Sequence, residues 1–335
     1  MLLTMRTPLP HDLATLSDIA GRLTHAGRGI LAADESIRTM SARLQNEGIP
    51  PSVTARRDYR EILVTAEGLS EWVSGVIWCD ETFGQALSDG RPFPLAAREL
   101  GILPGIKVDT GTSALPGRDG ALVTEGLDGL DGRLASYADR GAAFAKWRAV
   151  FDVDTITPYT ARANGHALAR YAASCQAHGI VPIVEPEVLC TGDHSLGESA
   201  RASRLALHAV FDELAQASVE LSGVVLKPNF VTPGLDARAA TARTVAAATF
   251  DVLRDEVPAA VAGIAFLSGG HTTDDACAFL SQMNAVTGRP WPATFSFGRA
   301  LVSEALRVWA GVPDQAMAAQ QALLGNCRRA ARTTR

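Results

Sequence analysis

Of the 31 basic residues in this chain, 28 are arginine and only three are lysine: Lys107, Lys146 and Lys227. Wherever a solvated positive charge is wanted, the chain uses Arg. The three lysines therefore mark positions where a guanidinium would not serve. A lysine can lose its proton and attack a carbonyl carbon, whereas arginine stays charged. An amine with a pKa near ~10.4 is almost wholly protonated at neutral pH. Burial and a neighbouring cation both favour the neutral form. Lys146 and Lys227 are expected on the same side of one site, where like-charge proximity lowers the pKa of one of them. Lys107 and Arg148 add to the positive field.

Carboxylates stand beside these amines in type and spacing. Glu185-Pro186-Glu187 places two acids two residues apart. If the chain stays extended through Pro186, both point to one side. Pro186 favours this by restricting Glu185 to β-like dihedrals. One of a crowded carboxylate pair can hold a proton near neutrality and serve as acid and base. Salt-bridging to the lysines is the other reading. Asp34 closes an apolar run, Gly29-Ile-Leu-Ala-Ala-Asp34. Two glycine-bearing turns, Ser268-Gly269-Gly270-His271 and Gly298-Arg299, bring backbone N–H groups and a planar guanidinium to an anion.

The elements that must position these groups recur as a beat. Short β-rich runs appear roughly every 30 to 45 residues: 29–34, 75–79, 105–109, 143–148, 180–185, 223–227, 263–268 and 293–297. Amphipathic stretches lie between them, among them 165–178, 199–218, 237–254 and 274–283. Eight strands alternating with helices predict a (β/α)₈ barrel in one domain, from about 28 to 310. The surplus predicts an N-terminal helical segment over 11–25 and a Gly/Asp-rich insertion over 116–132. A C-terminal helix and short tail fill 311–335. A doubly wound sheet is the competitor, but no strand–GxGxxG–helix fingerprint is present. Asp34, Lys107, Asp109, Lys146, Arg148, Glu185, Glu187, Lys227, Ser268 and Arg299 fall at or near the C-terminal ends of the runs. In a barrel those ends open on one face.

Composition excludes other classes. The net charge is −5 with 47% hydrophobic content, which suits a large core and gives no basic footprint for nucleic acid or anionic membrane. No apolar run approaches the ~20 residues of a membrane span, and Met1–Ala14 lacks a secretory h-region. Five scattered cysteines without a CxxC read as free thiols in a cytoplasmic protein. Seven histidines without HxH or HxxxH pairing give no metal centre, and no cofactor is expected. His271 reads as a solvated loop residue. The cluster Arg328, Arg329, Arg332 and Arg335 reads as a solvated helix end, and trimming 328–335 is expected to change the rate little.

Nine co-linear segments resemble class I fructose-bisphosphate aldolases. They are Gly29-Ile-Leu-Ala-Ala-Asp-Glu-Ser36, Asp89-Gly-Arg-Pro-Phe-Pro94, Gly105-Ile-Lys-Val-Asp109, Gly126-Leu-Asp-Gly129, Phe144-Ala-Lys-Trp-Arg148, Ile180-Val-Pro-Ile-Val-Glu-Pro-Glu187, Leu226-Lys-Pro-Asn229, Phe266-Leu-Ser-Gly-Gly270 and Phe297-Gly-Arg-Ala-Leu301. The resemblance implies reversible, metal-independent cleavage of fructose 1,6-bisphosphate by a homotetramer. It implies Lys227 as the Schiff-base lysine, Glu185 as acid and base, Lys146 as the neighbouring cation, and Asp34 and Glu187 as assisting carboxylates. Ser268, Gly269, Gly270, Gly298 and Arg299 then hold one phosphate, with Arg43, Lys107 and Ser36 toward the other. Departures fall near that second end. Ile37-Arg38-Thr39 stands where the family usually has Thr-Gly-Ser, and Ala42 where it often has Lys. The last tyrosine is Tyr171, so no phenol corresponds to the family's C-terminal Tyr, and enamine protonation is expected to use Glu185, Glu187 or water. A Schiff-base aldolase preferring another phosphorylated ketose, such as fructose 1-phosphate, and a non-catalytic binding protein on this fold are the alternatives.

Overall fold

In the computed structural model, residues 10–335 are described, with side chains from Thr15 onward; the first nine residues of the Met1–Ala14 stretch lie outside the described residues. Ten strands form: β1 Gly29–Ala33, β2 Val73–Trp78, β3 Leu103–Lys107, β4 Gly111–Ala114, β5 Leu122–Glu125, β6 Phe144–Phe151, β7 Val181–Val188, β8 Val225–Leu226, β9 Gly263–Phe266 and β10 Ala293–Phe297. Eight of them close into a parallel barrel in the order β1-β10-β9-β8-β7-β6-β3-β2. All eight expected runs are barrel strands. Their bounds shift because burial on both faces lets β6 and β7 run on for eight residues each.

The order around the barrel decides what faces what. β1 lies across from β7, and β3 lies across from β9. β7 is flanked by β6 and β8, so side chains on those two strands converge on it.

Helices cover the outside as the amphipathic runs predict. Pro158–Ala177 and Leu196–Gln216 each begin with a capping box, at Thr157 and at Ser195. The caps satisfy N–H groups that a helix start would leave unpaired. The N-terminal helix, Pro10–Leu23, buries Leu16, Ala20 and Leu23 against Ile30, Ile77 and Phe144 at one end of the barrel. Small residues make room there. A Cβ on Gly105 would sit 2.2 Å from the Phe144 ring, and one on Gly29 2.5 Å from Phe295. That end is packed, so a ligand enters from the C-terminal ends of the strands.

Two expectations change. The Gly/Asp-rich insertion belongs to an antiparallel hairpin, β4–β5, that pairs Gly111 with Glu125 and Ala114 with Leu122. The chain end is held against the body of the fold. The four terminal arginines are exposed, but Ala330, Ala331 and Thr334 between them are buried. Gly27 N donates to Thr334 Oγ1 at 2.7 Å, and Asn284 Nδ2 donates to the Thr333 carbonyl at 3.0 Å. The Arg335 guanidinium lies over the Trp72 ring. No described helix is long and apolar enough to cross a membrane.

Candidate active site

At the C-terminal mouth lies a cavity of about 460 Å³. It is lined by Asp34, Ser36, Arg43, Lys107, Lys146, Arg148, Glu185, Glu187, Lys227, Ser268, Gly269, Gly270, Gly298 and Arg299. Every site residue expected from the sequence is therefore on one wall or another. Glu35, Thr39, Asp109, Thr112 and Ser296 join them.

Glu185 is the centre. Its Oε1 is 3.0 Å from Lys227 Nζ, and its Oε2 is 3.1 Å from Lys146 Nζ. The strand order causes this: Lys146 comes from β6, Lys227 follows β8, and Glu185 on β7 stands between. Lys227, Lys146 and Glu185 are only 3%, 3% and 4% exposed, so the charges meet with almost no water to screen them. Lys146 also binds Asp34 Oδ2 at 2.7 Å across the barrel. Glu187 pairs instead with the Arg148 guanidinium.

The pairing corrects two expectations. Burial alone would raise the Asp34 carboxyl, but Lys146, Lys227 and Lys107 overcome it and hold the group far below the usual carboxylate range. Glu185 likewise is desolvated upward and drawn below its ordinary value by Lys146 and Lys227. Glu185 faces Lys146 and Lys227, and Glu187 faces Arg148. The Lys146 pKa does not fall. Burial pushes it down, but Asp34, Glu185 and Asp109 together raise it above the ordinary lysine range. Three close carboxylates outweigh one lysine neighbour.

Backbone geometry builds an anion cradle on the β9–β10 side. Gly269 and Gly270 have φ of +56° and +87°, conformations that other residues adopt at a cost. His271 N closes the turn on the Ser268 carbonyl at 3.0 Å. Gly298 is the N-cap of the helix Arg299–Trp309, which has no acid in its first turn and no side-chain cap. Its open N–H groups, the Gly269–Gly270 turn and the Arg299 guanidinium lie together, as an anion site requires. His271 is not a solvated loop residue. It packs edge-on against Phe279 and hydrogen-bonds Thr232 Oγ1 at 3.2 Å, and burial lowers its pKa.

Beside the cradle, on the neighbouring β1 side, Ser36 caps the helix Ile37–Asn46 and its Oγ lies 3.0 Å from Thr39 Oγ1. Lys107 and Thr39 share that wall with Ser36. Arg43 reaches it too, but its guanidinium is engaged by Glu35 and donates to Ser303 Oγ at 3.3 Å. Ile37, Arg38 and Ala42 are not on the cavity wall. Sequence reading missed Arg60, which is wholly buried and donates to the Ala33 carbonyl at 3.2 Å and the Glu35 carbonyl at 2.7 Å. It thus clamps the backbone on both sides of Asp34. Its helix, Val53–Val64, also carries Arg56 and Arg57, so nothing in the sequence singled it out.

The family model described as fructose-bisphosphate aldolase class-I matches residues 15–335. The chain is 44% identical over 326 residues to fructose-bisphosphate aldolase B of Gallus gallus, covering 96% of this chain and 89% of that one. It is 44% identical over 302 residues to the fructose-bisphosphate aldolase, cytoplasmic isozyme, of Cicer arietinum, covering 89% and 84%. Among solved structures, fructose-bisphosphate aldolase from Plasmodium falciparum, in complex with TRAP and a small-molecule inhibitor, superposes with a TM-score of 0.96. That match is at 38% identity and covers 98% of this chain and 96% of the other. With the barrel, the lysine–glutamate–lysine cluster and these matches in agreement, the chain belongs to the class I fructose-bisphosphate aldolase family.

Proposed function

We propose that this chain, working as one unit over residues 1–335, cleaves D-fructose 1,6-bisphosphate reversibly to dihydroxyacetone phosphate and D-glyceraldehyde 3-phosphate through a Schiff base on Lys227. This is glycolytic and gluconeogenic chemistry. The observation that carries it is Glu185, held between Lys227 at 3.0 Å and Lys146 at 3.1 Å in a nearly dry site. The positions of the anion cradle and Lys107, on the β9–β10 and β3 sides, suit a substrate with a phosphate at each end.

Lys227 gives up its proton to Glu185 Oε1, and the free amine attacks the C2 ketone. The carbinolamine nitrogen is neutral, so one of the two cations that depress Glu185 is gone and the carboxyl can hold a proton. Glu185 passes that proton to the C2 hydroxyl, water leaves, and a protonated imine remains. Lys146 stabilises the carboxylates without joining the adduct. The imine draws electrons from the C3–C4 bond when an assisting carboxylate, Asp34 or Glu187, takes the C4-hydroxyl proton. Aldehyde departs, the enamine is protonated at C3, and water hydrolyses the imine. Ser268, Gly269, Gly270, Gly298 and Arg299 hold one phosphate, and Ser36, Lys107 and Arg43 face the other, with Arg148 paired to Glu187.

A homotetramer in the cytoplasm is the expected setting. The family resemblance supports the assembly. Five free cysteines, four of them buried, and the cytoplasmic naming of the Cicer arietinum relative support the compartment. The deciding experiment is a coupled cleavage assay comparing the bisphosphate with fructose 1-phosphate. A clear preference for the bisphosphate supports this reading. Equal or better use of the monophosphate points to the alternative ketose, and no turnover of either points to a non-catalytic protein.

A further inference from the structure

Asp109 has no role in the mechanism above, yet it is one of the most heavily bonded carboxylates in the cavity wall. Its Oδ1 is 2.6 Å from Lys107 Nζ and accepts from Gly111 N at 3.3 Å. Its Oδ2 accepts from Arg148 N at 3.2 Å and lies 4.0 Å from Lys146 Nζ. The side chain is 4% exposed. Two backbone N–H groups from different elements thus fix the carboxylate, one at the start of β4 and one on β6. The backbone around it is fixed as well: Val108 N donates to the Lys146 carbonyl at 3.0 Å, and Arg133 donates to the Val108 carbonyl at 2.8 Å.

Lys107 is tied to Asp109 twice, because Nζ also donates to the Asp109 carbonyl oxygen at 2.7 Å. An ammonium has three N–H donors, and a free lysine side chain has many rotamers to lose. Two donors are spent on one residue, the stem is immobilised, and the third N–H is left for the cavity. Asp109 also puts a negative charge between Lys107 and Lys146, which lets both cations face one small cavity.

We propose that Asp109 is a positioning residue: it aims the Lys107 ammonium at the phosphate bound on the β3 side and so sets the preference for a substrate phosphorylated at both ends. This rests on the function proposed above and names a determinant of its specificity. Asp109 does not touch substrate; it acts through Lys107.

The test measures kcat and KM for fructose 1,6-bisphosphate and for fructose 1-phosphate in the unaltered protein, Lys107→Met, Asp109→Asn and the double variant. Loss of a charged hydrogen bond predicts that Lys107→Met lowers the bisphosphate-over-monophosphate ratio of kcat/KM by about tenfold or more. Asp109→Asn should lower the same ratio by a similar factor, chiefly through KM for the bisphosphate. The double variant should add little, because both changes remove one interaction. Should Asp109→Asn not fold, Asp109→Glu serves: it keeps the charge, displaces it by one methylene, and should still lower the ratio. A normal ratio in a folded Asp109 variant, with Lys107→Met lowering it, overturns the inference and leaves the proposed function standing. A normal ratio in Lys107→Met overturns the placement of the second phosphate itself. A fall in kcat equal for both substrates shows a general structural role and also overturns the inference.

Discussion

Lys227 Nζ and Glu185 Oε1 stand 3.0 Å apart in a site almost closed to water. A proton transfer over that distance needs no intervening water, which suits the proposed pairing of a nucleophile with an acid. The second carboxylate oxygen, Oε2, lies 3.1 Å from Lys146 Nζ.

Lys227→Arg is expected to abolish cleavage although it keeps the charge, because a guanidinium supplies no neutral amine at working pH. Incubation with dihydroxyacetone phosphate and borohydride should fix the adduct on the peptide carrying Lys227. Label on Lys107 or Lys146 in its place would refute the assignment.

The charges around Lys146 set a pH window for stability. Asp34 and Glu185 have folded pKa values below their ordinary ones, so the stability they contribute is complete above about pH 4 to 5 and is lost as pH falls through the folded values. Lys146 is raised, so its share is complete below about pH 10.4 and is lost only as pH rises through its higher folded value. Lys146→Met should cost about 3–5 kcal/mol at pH 7, the cost of stripping a buried pair of one partner. Urea unfolding from pH 7 to pH 3 should show that difference shrinking as the carboxylates protonate. A difference that does not vary with pH would mean that packing, not charge, is what Lys146 supplies.

Exhaustive chelation should leave the cleavage rate unchanged. In the proposed mechanism the protonated imine on Lys227 withdraws electrons from the C3–C4 bond, the task a Lewis-acid metal performs in other carbon–carbon lyases. A large loss of rate that zinc restores would sink this account.

Deleting residues 328–335 should destabilise the protein by roughly 3 kcal/mol or more, from lost burial of Ala330, Ala331 and Thr334 and two lost hydrogen bonds. Thermal unfolding checks this. An unchanged melting temperature would show that these contacts are not held in solution.

The barrel was legible because its cause is local and repeated. Eight apolar runs at barrel spacing, seven of them with polar residues at or near their ends, admit few other folds, and every one became a strand of the closed sheet. The catalytic candidates were legible because their types are scarce: three lysines, one Glu-Pro-Glu and two glycine turns all reached the same cavity. Protonation was not legible. A pKa follows from charges separated by three or four ångströms in a low dielectric, and no spacing along the chain states which side chains come that close. Hence one of Glu185 and Glu187 was expected to hold a proton near neutrality, with salt bridges to the lysines as the other reading, and the structure pairs Glu185 with Lys146 and Lys227. Asp109 stood in the sequence as one more polar strand end, and only the packing of β4 and β6 around it showed a carboxylate with three donors and a second ammonium at 4.0 Å. The terminal residues looked free for the same reason. Thr334 is held by Gly27, 307 residues away, and a contact of that separation exists only once the barrel has closed and brought the loop before β1 to the C-terminal helix.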